Sequence, residues 1–150
     1  MQKIIFVCTG NTCRSPMAAA ILKHKLKQNA IEGVEVSSAG IMAEPNTKTS
    51  PNTIKALKNM GIVARVSNAK QLTKKMVTSG TILIAITKNH KEYVKNVATT
   101  YALSDFSGGI DLPDPYGQDL VVYEKCAKIL DFICNDIVEL IKKGELKWFI

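Results

Sequence analysis

The sequence predicts an α/β protein in which helices cover both faces of a mostly parallel sheet. Short apolar runs rich in β-branched residues alternate along the chain with longer segments of helical character, as in successive βαβ units. The first run, residues 4–7, is apolar at every position, which is typical of a strand buried on both faces. Each parallel connection is a right-handed crossover, so its helix packs against a face of the sheet.

The first strand leads through a loop, residues 8–14, into a helix predicted over residues 16–28. Ser15 is a favourable N-cap residue, and Pro16 suits the first helical position because no amide hydrogen is needed there. The six residues that follow, MAAAIL, strongly favour helix. The chain therefore opens with a strand, a loop and a helix in close succession.

Three further strands are predicted from short apolar runs between turn residues: 34–37, 81–86 and 99–103. A second Ser-Pro pair starts a helix at Ser50 that ends at Gly61. Thr73 predicts the start of a brief helical turn, and residues 89–97 form the next helix.

One long helix is predicted after the loop over residues 104–119. Its apolar residues recur at helical spacing and form one stripe: Val122, Cys126, Ile129, Leu130, Ile133, Ile137, Leu140 and Ile141. Two lysines and Gly144 follow the stripe, which is typical of a helix C-terminus.

The loop after the first strand has the composition of an anion-binding cradle. Its backbone amides can turn inward as a nest, and the helix start adds about half a positive charge. Gly10 and Asn11 tolerate the positive φ angles that such a loop needs. Arg14 closes the loop with a planar guanidinium that can hold two phosphoryl oxygens. Cys8 opens the loop where these groups favour a nucleophilic thiolate, which the Ser15 hydroxyl can also hydrogen-bond.

Length and composition predict one domain over residues 1–150 with a sizeable core. The net charge of +7 is spread mostly as single lysines, and aromatic residues make up only 6% of the chain. Neither a nucleic-acid-binding arm nor a base-stacking platform is therefore expected. No apolar run reaches transmembrane length and no signal peptide is evident, so no membrane association is expected.

The four cysteines and two histidines lack the spacing of metal ligands, so neither a metal nor another cofactor is expected. A reducing cytoplasm is the natural compartment for a chain that depends on a free thiolate. Cys126 and Cys134 lie on the apolar stripe and are predicted to be core residues. His90 is predicted to be a helix-start residue without a chemical role.

Two motifs carry a resemblance to a known family. The segment VCTGNTCRSP, residues 7–16, resembles the phosphate-binding loop of the low-molecular-weight protein-tyrosine-phosphatase family, whose pattern is Cys-x5-Arg-Ser. The sequence Asp114-Pro115-Tyr116 resembles that family's general-acid loop. The resemblance implies a single phosphatase domain over residues 1–150. It also implies a three-layer fold with a four-stranded parallel sheet, like that of phosphotyrosine protein phosphatase I.

The activity implied by this resemblance is hydrolysis of phosphorylated protein side chains in two steps. Cys8 takes the phosphoryl group, Asp114 protonates the leaving atom and then activates water, and Arg14 stabilises the phosphoryl oxygens. Inorganic phosphate or a similar oxyanion is expected to bind the same loop residues: Thr9, Gly10, Asn11, Thr12, Cys13, Arg14 and Ser15.

The residues alone do not select the general acid, because four aspartates lie in the long loop: Asp105, Asp111, Asp114 and Asp119. Pro115 restrains Asp114 to extended angles, and the resemblance selects Asp114.

Three further positions match the family's pattern around the loop. Asn11 and Ser38 fall where the family holds the loop's shape with polar side chains, although Ser38 could equally be a strand-end hydroxyl. Cys13 is either a small packing residue or a partner that protects Cys8 in a disulfide under oxidation.

Thr12 and Tyr116 are predicted to line the substrate pocket. Family members that act on phosphotyrosine mostly carry an aliphatic residue in place of Thr12 and two aromatics after the Asp-Pro pair. Here Thr12 is polar and Tyr116 precedes Gly117, and both features resemble the bacterial protein-arginine phosphatases. The resemblance therefore favours phosphoarginine over phosphotyrosine.

Other classes share parts of this pattern. Thioredoxin-coupled arsenate reductases share the loop and the fold, but they need further cysteines in mid-chain, and none lies between Cys13 and Cys126. Cysteine phosphocarrier domains place their nucleophile after the first strand but lack the closing arginine. A phosphate-binding module without catalytic activity is a third alternative, which the combination of thiol, arginine and aspartate disfavours.

Overall fold

Four parallel strands form the centre of the computed structural model, which describes residues 2–106, 108–109 and 112–146: β1 (Gln2–Cys8), β2 (Val34–Gly40), β3 (Thr81–Ala85) and β4 (Thr99–Ala102). Their order in the sheet is β2-β1-β3-β4, and every neighbouring pair is parallel. The predicted fold class is therefore confirmed.

The helices lie on both sides of this sheet. The described residues form four α-helices: α1 (Arg14–Gln28), α2 (Pro51–Asn59), α3 (Lys88–Val94) and α4 (Leu120–Lys143). Helices α1, α2 and α4 pack together against one face, while α3 and residues 72–77 cover the other. Short 3-10 turns occur at Lys74–Met76, as predicted from Thr73, and at Leu103–Asp105. Among the described residues, no helix has the length and apolarity needed to cross a bilayer.

Strand β1 lies at the centre of the core. Ile4 and Phe6 contact the layer formed by α1, α2 and α4, whereas Ile5 and Val7 contact the opposite layer. All four side chains are fully buried, because successive residues of a strand point to opposite faces and both faces are covered. The prediction of a strand buried on both faces is therefore confirmed for β1.

Helix α4 buries much of its predicted stripe. Cys126, Leu130, Ile133 and Ile137 are fully buried, whereas Ile129 at the stripe's edge is only partly covered. The helix ends at Gly144, whose φ of 67° is the left-handed conformation expected of a C-terminal glycine.

The predicted start of α1 is wrong. The helix begins at Arg14, with Cys13 at the N-cap position, and its hydrogen-bonded ladder opens with the Met17 amide donating to the Cys13 carbonyl at 3.2 Å. Ser15 is thus not the N-cap residue, because its hydroxyl contacts loop side chains instead. Pro16 occupies the third helical position, where a missing amide hydrogen still costs no intrahelical bond.

Other boundaries shift by a few residues. Strand β2 continues through Gly40, three residues beyond its predicted end, because it pairs with β1 as far as Cys8. Helix α3 spans Lys88–Val94 rather than residues 89–97, and Thr87 accepts the amide hydrogen of His90 at its start.

The carboxyl ends of β1 and β2 meet at one edge of the sheet. Cys8 pairs with Gly40, and the amides of Ile41 and Met42 donate to the carbonyls of Cys8 and Thr9, both at 2.9 Å. The chain runs from β1 to β2 on one side and then crosses to β3 on the other side of β1, so the strand order reverses at β1. Sheets of this class bind ligands beyond the carboxyl ends of the strands at such a reversal.

Gly40 has no room for a side chain at this edge. A Cβ atom on Gly40 would lie 2.5 Å from the Thr9 carbonyl oxygen and 3.2 Å from the Asn11 amide nitrogen. We expect Gly40→Ala to lower the free energy of unfolding by about 1–3 kcal/mol, because the backbone has to move. Urea denaturation measures this loss.

Gly10→Ala is the matched control in the same region, since its Cβ would meet nothing closer than the Thr12 hydroxyl oxygen at 4.0 Å. Its stability should change by no more than about 0.5 kcal/mol. Equal effects of the two substitutions would show that the close approach at Gly40 is not a constraint.

Candidate active site

The loop between β1 and α1 turns sharply at Asn11. This residue has a φ of 58°, in the left-handed region that asparagine tolerates better than most side chains. Gly10, also predicted to suit a positive φ, does not adopt one. The turn brings the start of α1 back over the end of β1, so Cys8 and Arg14 face one cleft.

The Cys8 sulfur lies at the floor of this cleft and is nearly inaccessible, with a residue exposure of 4%. The Asn11 amide donates to it at 3.3 Å, and the Ser15 hydroxyl lies 2.8 Å away. Donors aimed at a sulfur atom stabilise its thiolate form, and the N-terminus of α1 adds its partial positive charge. The predicted contact between Ser15 and Cys8 is therefore present.

Asn11 connects the loop to the rest of the fold. Its side-chain nitrogen donates to the Ser15 hydroxyl at 2.8 Å and to the Ser38 hydroxyl at 2.9 Å. Its side-chain oxygen accepts from the Lys70 amide at 2.9 Å. Asn11 is buried, so these bonds satisfy its amide and fix the loop against β2 and residue 70. The hydrogen bond between Asn11 and Ser38 favours the role in holding the loop that the family resemblance implied for Ser38, rather than that of a strand-end hydroxyl alone.

Arg14 lies on the opposite wall and is held rigidly. Its residue exposure is 8%, and one guanidinium nitrogen donates to the Leu112 carbonyl at 3.2 Å. The other terminal nitrogen lies 3.7 Å from a carboxylate oxygen of Asp114. A buried, oriented guanidinium is well placed to receive an oxyanion in the cleft.

Of the four candidate aspartates, Asp114 lines the cleft together with Cys8 and Arg14. Its carboxylate is exposed and accepts the Tyr116 amide hydrogen at 3.1 Å, which orients it across the Asp-Pro turn.

Asp105 and Asp119 do not line the cleft. Asp105 binds Lys91 and the Ala102 amide instead. Burial raises the pKa of Asp105, but these two bonds outweigh burial and the pKa is lowered. Asp119 is the N-cap residue of α4, and Asp111 lies outside the described residues.

The cleft has a volume of about 250 Å³. Ser15 is fully buried next to Cys8 and does not line the cleft. All the other residues predicted for the site line it: Cys8, Thr9, Gly10, Asn11, Thr12, Cys13, Arg14, Asp114 and Tyr116. Residues more than 100 positions apart in the chain thus form one small site with a thiol at its base, a guanidinium on one wall and a carboxyl at its mouth. This arrangement suits displacement at a bound tetrahedral oxyanion.

The contact between His90 and the catalytic loop was not predicted from the sequence. His90 lies in the first turn of α3, as predicted, but its Nε2 atom is also 2.8 Å from the Thr9 hydroxyl. Its Nδ1 atom is 3.0 Å from the Thr87 hydroxyl. The only signal for this contact is that α3 directly follows β3, which lies beside β1 in the sheet.

The pKa of His90 is lowered, first by burial and then by the positive charge of Arg14. The unfolded chain therefore binds the proton more readily than the folded chain. The contribution of His90 to stability is present above its ordinary pKa of 6.5 and is lost as the pH falls below that value.

Of the remaining thiols, Cys126 and Cys134 are packing residues, whereas Cys13 lines the cleft. All four cysteines are free, and the possible disulfide between Cys8 and Cys13 remains a prediction. The Cys13 sulfur lies 3.4 Å from the Tyr123 hydroxyl. Burial raises the pKa of Cys126 to about 11 and that of Cys134 to about 12, so both stay protonated at neutral pH, as expected of core residues.

Comparison with known proteins agrees with this geometry. Residues 3–146 match the family model described as low molecular weight phosphotyrosine protein phosphatase. A protein-arginine-phosphatase of Geobacillus stearothermophilus is 36% identical over 144 residues, which cover 91% of this chain and 94% of the relative. The low molecular weight protein-tyrosine-phosphatase PtpB of Staphylococcus haemolyticus is 32% identical, with 91% of this chain and 97% of the relative covered.

A solved structure of the arginine phosphatase YwlE has the same fold. It superposes with a TM-score of 0.86 at 31% identity and covers 95% of this chain and 97% of its own. That structure is of a mutant with a phosphorylated active-site serine. The match along nearly the whole chain and the agreement of the fold place this protein in the low molecular weight phosphotyrosine protein phosphatase family.

Proposed function

We propose that this protein removes phosphoryl groups from protein side chains, with phosphoarginine preferred over phosphotyrosine, through a cysteinyl phosphate on Cys8. The observation that carries the proposal is the meeting of Cys8, Arg14 and Asp114 in one cleft. A thiol nucleophile, an oxyanion-binding cation and an acid are the three groups that this hydrolysis needs.

In the first step, the Cys8 thiolate attacks phosphorus and a sulfur–phosphorus bond forms. The bond from phosphorus to the leaving nitrogen or oxygen breaks, and Asp114 donates its proton to that atom. Arg14 and the loop amides stabilise the charge on the three phosphoryl oxygens. The exposure of Asp114 at the mouth suits this role, because the leaving group departs towards solvent.

In the second step, the ionised Asp114 accepts a proton from water while the water oxygen attacks phosphorus. The sulfur–phosphorus bond breaks, phosphate is released and the Cys8 thiolate is regenerated. The phosphorylated serine of the related arginine phosphatase mutant supports this proposal, because the phosphoryl group there is carried by an active-site side chain.

The preference for phosphoarginine is supported by the walls of the cleft. Thr12 lines the cleft with a polar, hydroxyl-bearing side chain. A hydroxyl oxygen can accept a hydrogen bond from a guanidinium, whereas a phenyl ring would gain more from an apolar wall. Overall sequence identity does little to distinguish the two substrates, because the arginine phosphatase and the tyrosine phosphatase compared above are 36% and 32% identical to this chain.

The proposed chemistry also suggests how the chain is organised and where it acts. We assign residues 1–150 to one catalytic domain that acts on phosphorylated proteins in a reducing cytoplasm, where Cys8 stays a free thiol. The family match favours this assignment over an arsenate reductase, and Arg14 in the cleft favours it over a phosphocarrier.

Asp114→Asn tests the acid role. We expect the turnover of a phosphoarginine peptide to fall about 10²–10⁴-fold, because the leaving nitrogen no longer receives a proton. With p-nitrophenyl phosphate, the first step should slow less, because its leaving group departs as a stable anion. Burst kinetics separate this step from hydrolysis of the intermediate. Asp119→Asn, a control in the same loop, should retain activity, and equal loss in both variants would contradict the role of Asp114.

Thr12→Ile tests the substrate preference. The isoleucine side chain replaces a hydroxyl with an apolar wall, so the ratio of kcat/KM for phosphotyrosine over phosphoarginine should rise at least about tenfold. Paired phosphopeptides of identical flanking sequence measure this ratio. Thr9→Val removes another hydroxyl from the loop and should change both activities together. An unchanged ratio in Thr12→Ile would refute the specificity argument.

A further inference from the structure

A second and larger concavity lies behind the catalytic loop. It has a volume of about 540 Å³ and runs between α1, α2 and residues 62–70. We call it the basic groove after its five basic side chains: Lys23, His24, Lys27, Arg65 and Lys70. Its volume is within the range of small-molecule sites, about 300–1,000 Å³.

The charge of the basic groove has one sign. Its lining contains no aspartate or glutamate. In the part of the chain that the structure describes, no carboxylate lies within salt-bridge distance of Lys23, Lys27 or Arg65. By contrast, Lys25 on the same helix pairs with Asp131 at 2.7 Å. The groove therefore concentrates positive charge, and the acid that shares a neighbouring concavity with its lysines, Glu32 beside Lys23 and Lys27, makes no salt bridge with them.

Part of the groove lining is apolar. Leu57 and Ile62 are buried there, and Pro16, Ala20 and Ile54 add partly covered hydrocarbon. Hydroxyl-bearing residues also line it: Ser37, Ser38, Thr49, Thr53 and Ser67. A ligand with an apolar body and anionic groups would therefore match both the apolar residues and the basic side chains of the rim. A fully hydrated polyanion would bury no apolar surface in the groove, and a neutral apolar molecule would make no charge interaction with the basic side chains.

We propose that the basic groove binds a small organic anion with an apolar body and a sulfonate, phosphate or carboxylate substituent. The site is distinct from the catalytic cleft, although Asn11 lines both. The backbone amide of Asn11 faces the Cys8 sulfur, while its side chain binds Ser38 and the Lys70 amide, two residues of the groove wall. A ligand in the groove thus contacts the residues that hold the catalytic loop in place.

The test uses the dye 8-anilinonaphthalene-1-sulfonate as the anion and N-phenyl-1-naphthylamine as its neutral analogue. Fluorescence titrations are run on the full chain with the catalytic cleft saturated by inorganic phosphate. The anion should bind in the presence of phosphate and more weakly at high salt. Lys23→Gln/Arg65→Gln should weaken its binding on the order of fivefold, since each exposed ion pair contributes a small factor. Binding of the neutral analogue should not change.

The matched control is Lys55→Gln/Lys125→Gln, which removes the same charge from exposed residues outside the groove. It should leave binding of the anion unchanged. Displacement of the dye by phosphate but not by sodium chloride at the same ionic strength would place the dye in the catalytic cleft. Equal weakening in the two double variants would show that the effect depends only on net charge. Binding of an acidic peptide without binding of the dye would make the groove a protein-docking surface. Each of these results would overturn the proposal. Because the titration does not depend on turnover, it is independent of the proposed hydrolysis.

Discussion

The hydrogen bonds of Asn11 hold the candidate site together. The left-handed conformation of this residue points its amide at the Cys8 sulfur while its side chain binds Ser15, Ser38 and the Lys70 amide. Without this turn, the loop would not bring the N-terminus of α1 over the end of β1. A buried asparagine with all these bonds made is stabilising, whereas one with a missing partner would carry a desolvation cost of about 1–3 kcal/mol.

The sheet determines where this loop can lie. Because β1 is an internal strand and is covered on both faces, its last residue, Cys8, lies at a fixed point on the carboxyl edge of the sheet. Neighbouring strands then supply the supports: Ser38 comes from β2, and His90 follows β3. Only Asp114 comes from a distant loop, and it is the most exposed member of the catalytic set. Rigid elements thus hold the nucleophile and the cation, while the acid lies on a loop at the mouth.

Much of this arrangement was predictable because its causes are local. An apolar run predicts a buried strand, and a thiol followed by Gly, Asn and Arg before a Ser-Pro pair predicts an anion-binding loop. The start of α1 was misplaced because Ser15 has the residue type of an N-cap, but its hydroxyl is drawn into the bonds of Asn11 and Cys8. That competition depends on tertiary contacts, which no local pattern contains.

Some contacts between residues distant in the chain could not be predicted, because neither a local pattern nor the family resemblance indicates them. His90 is 81 residues from Thr9, and the Lys70 amide is 59 residues from the Asn11 side chain. The basic groove is another example, because its cations come from α1 and from residues 62–70, each unremarkable as a single lysine or arginine. Such features arise only once strand order and helix packing are fixed.

The central claim is that Cys8 carries the phosphoryl group during turnover. Rapid quenching of the enzyme with a phosphoarginine peptide, followed by mass spectrometry of its fragments, measures this directly. The account predicts one added phosphoryl group on the fragment that contains Cys8, and none in the Cys8→Ala variant, which should also be inactive. Turnover in that variant, or a phosphoryl group found on another residue of the active enzyme, would contradict it.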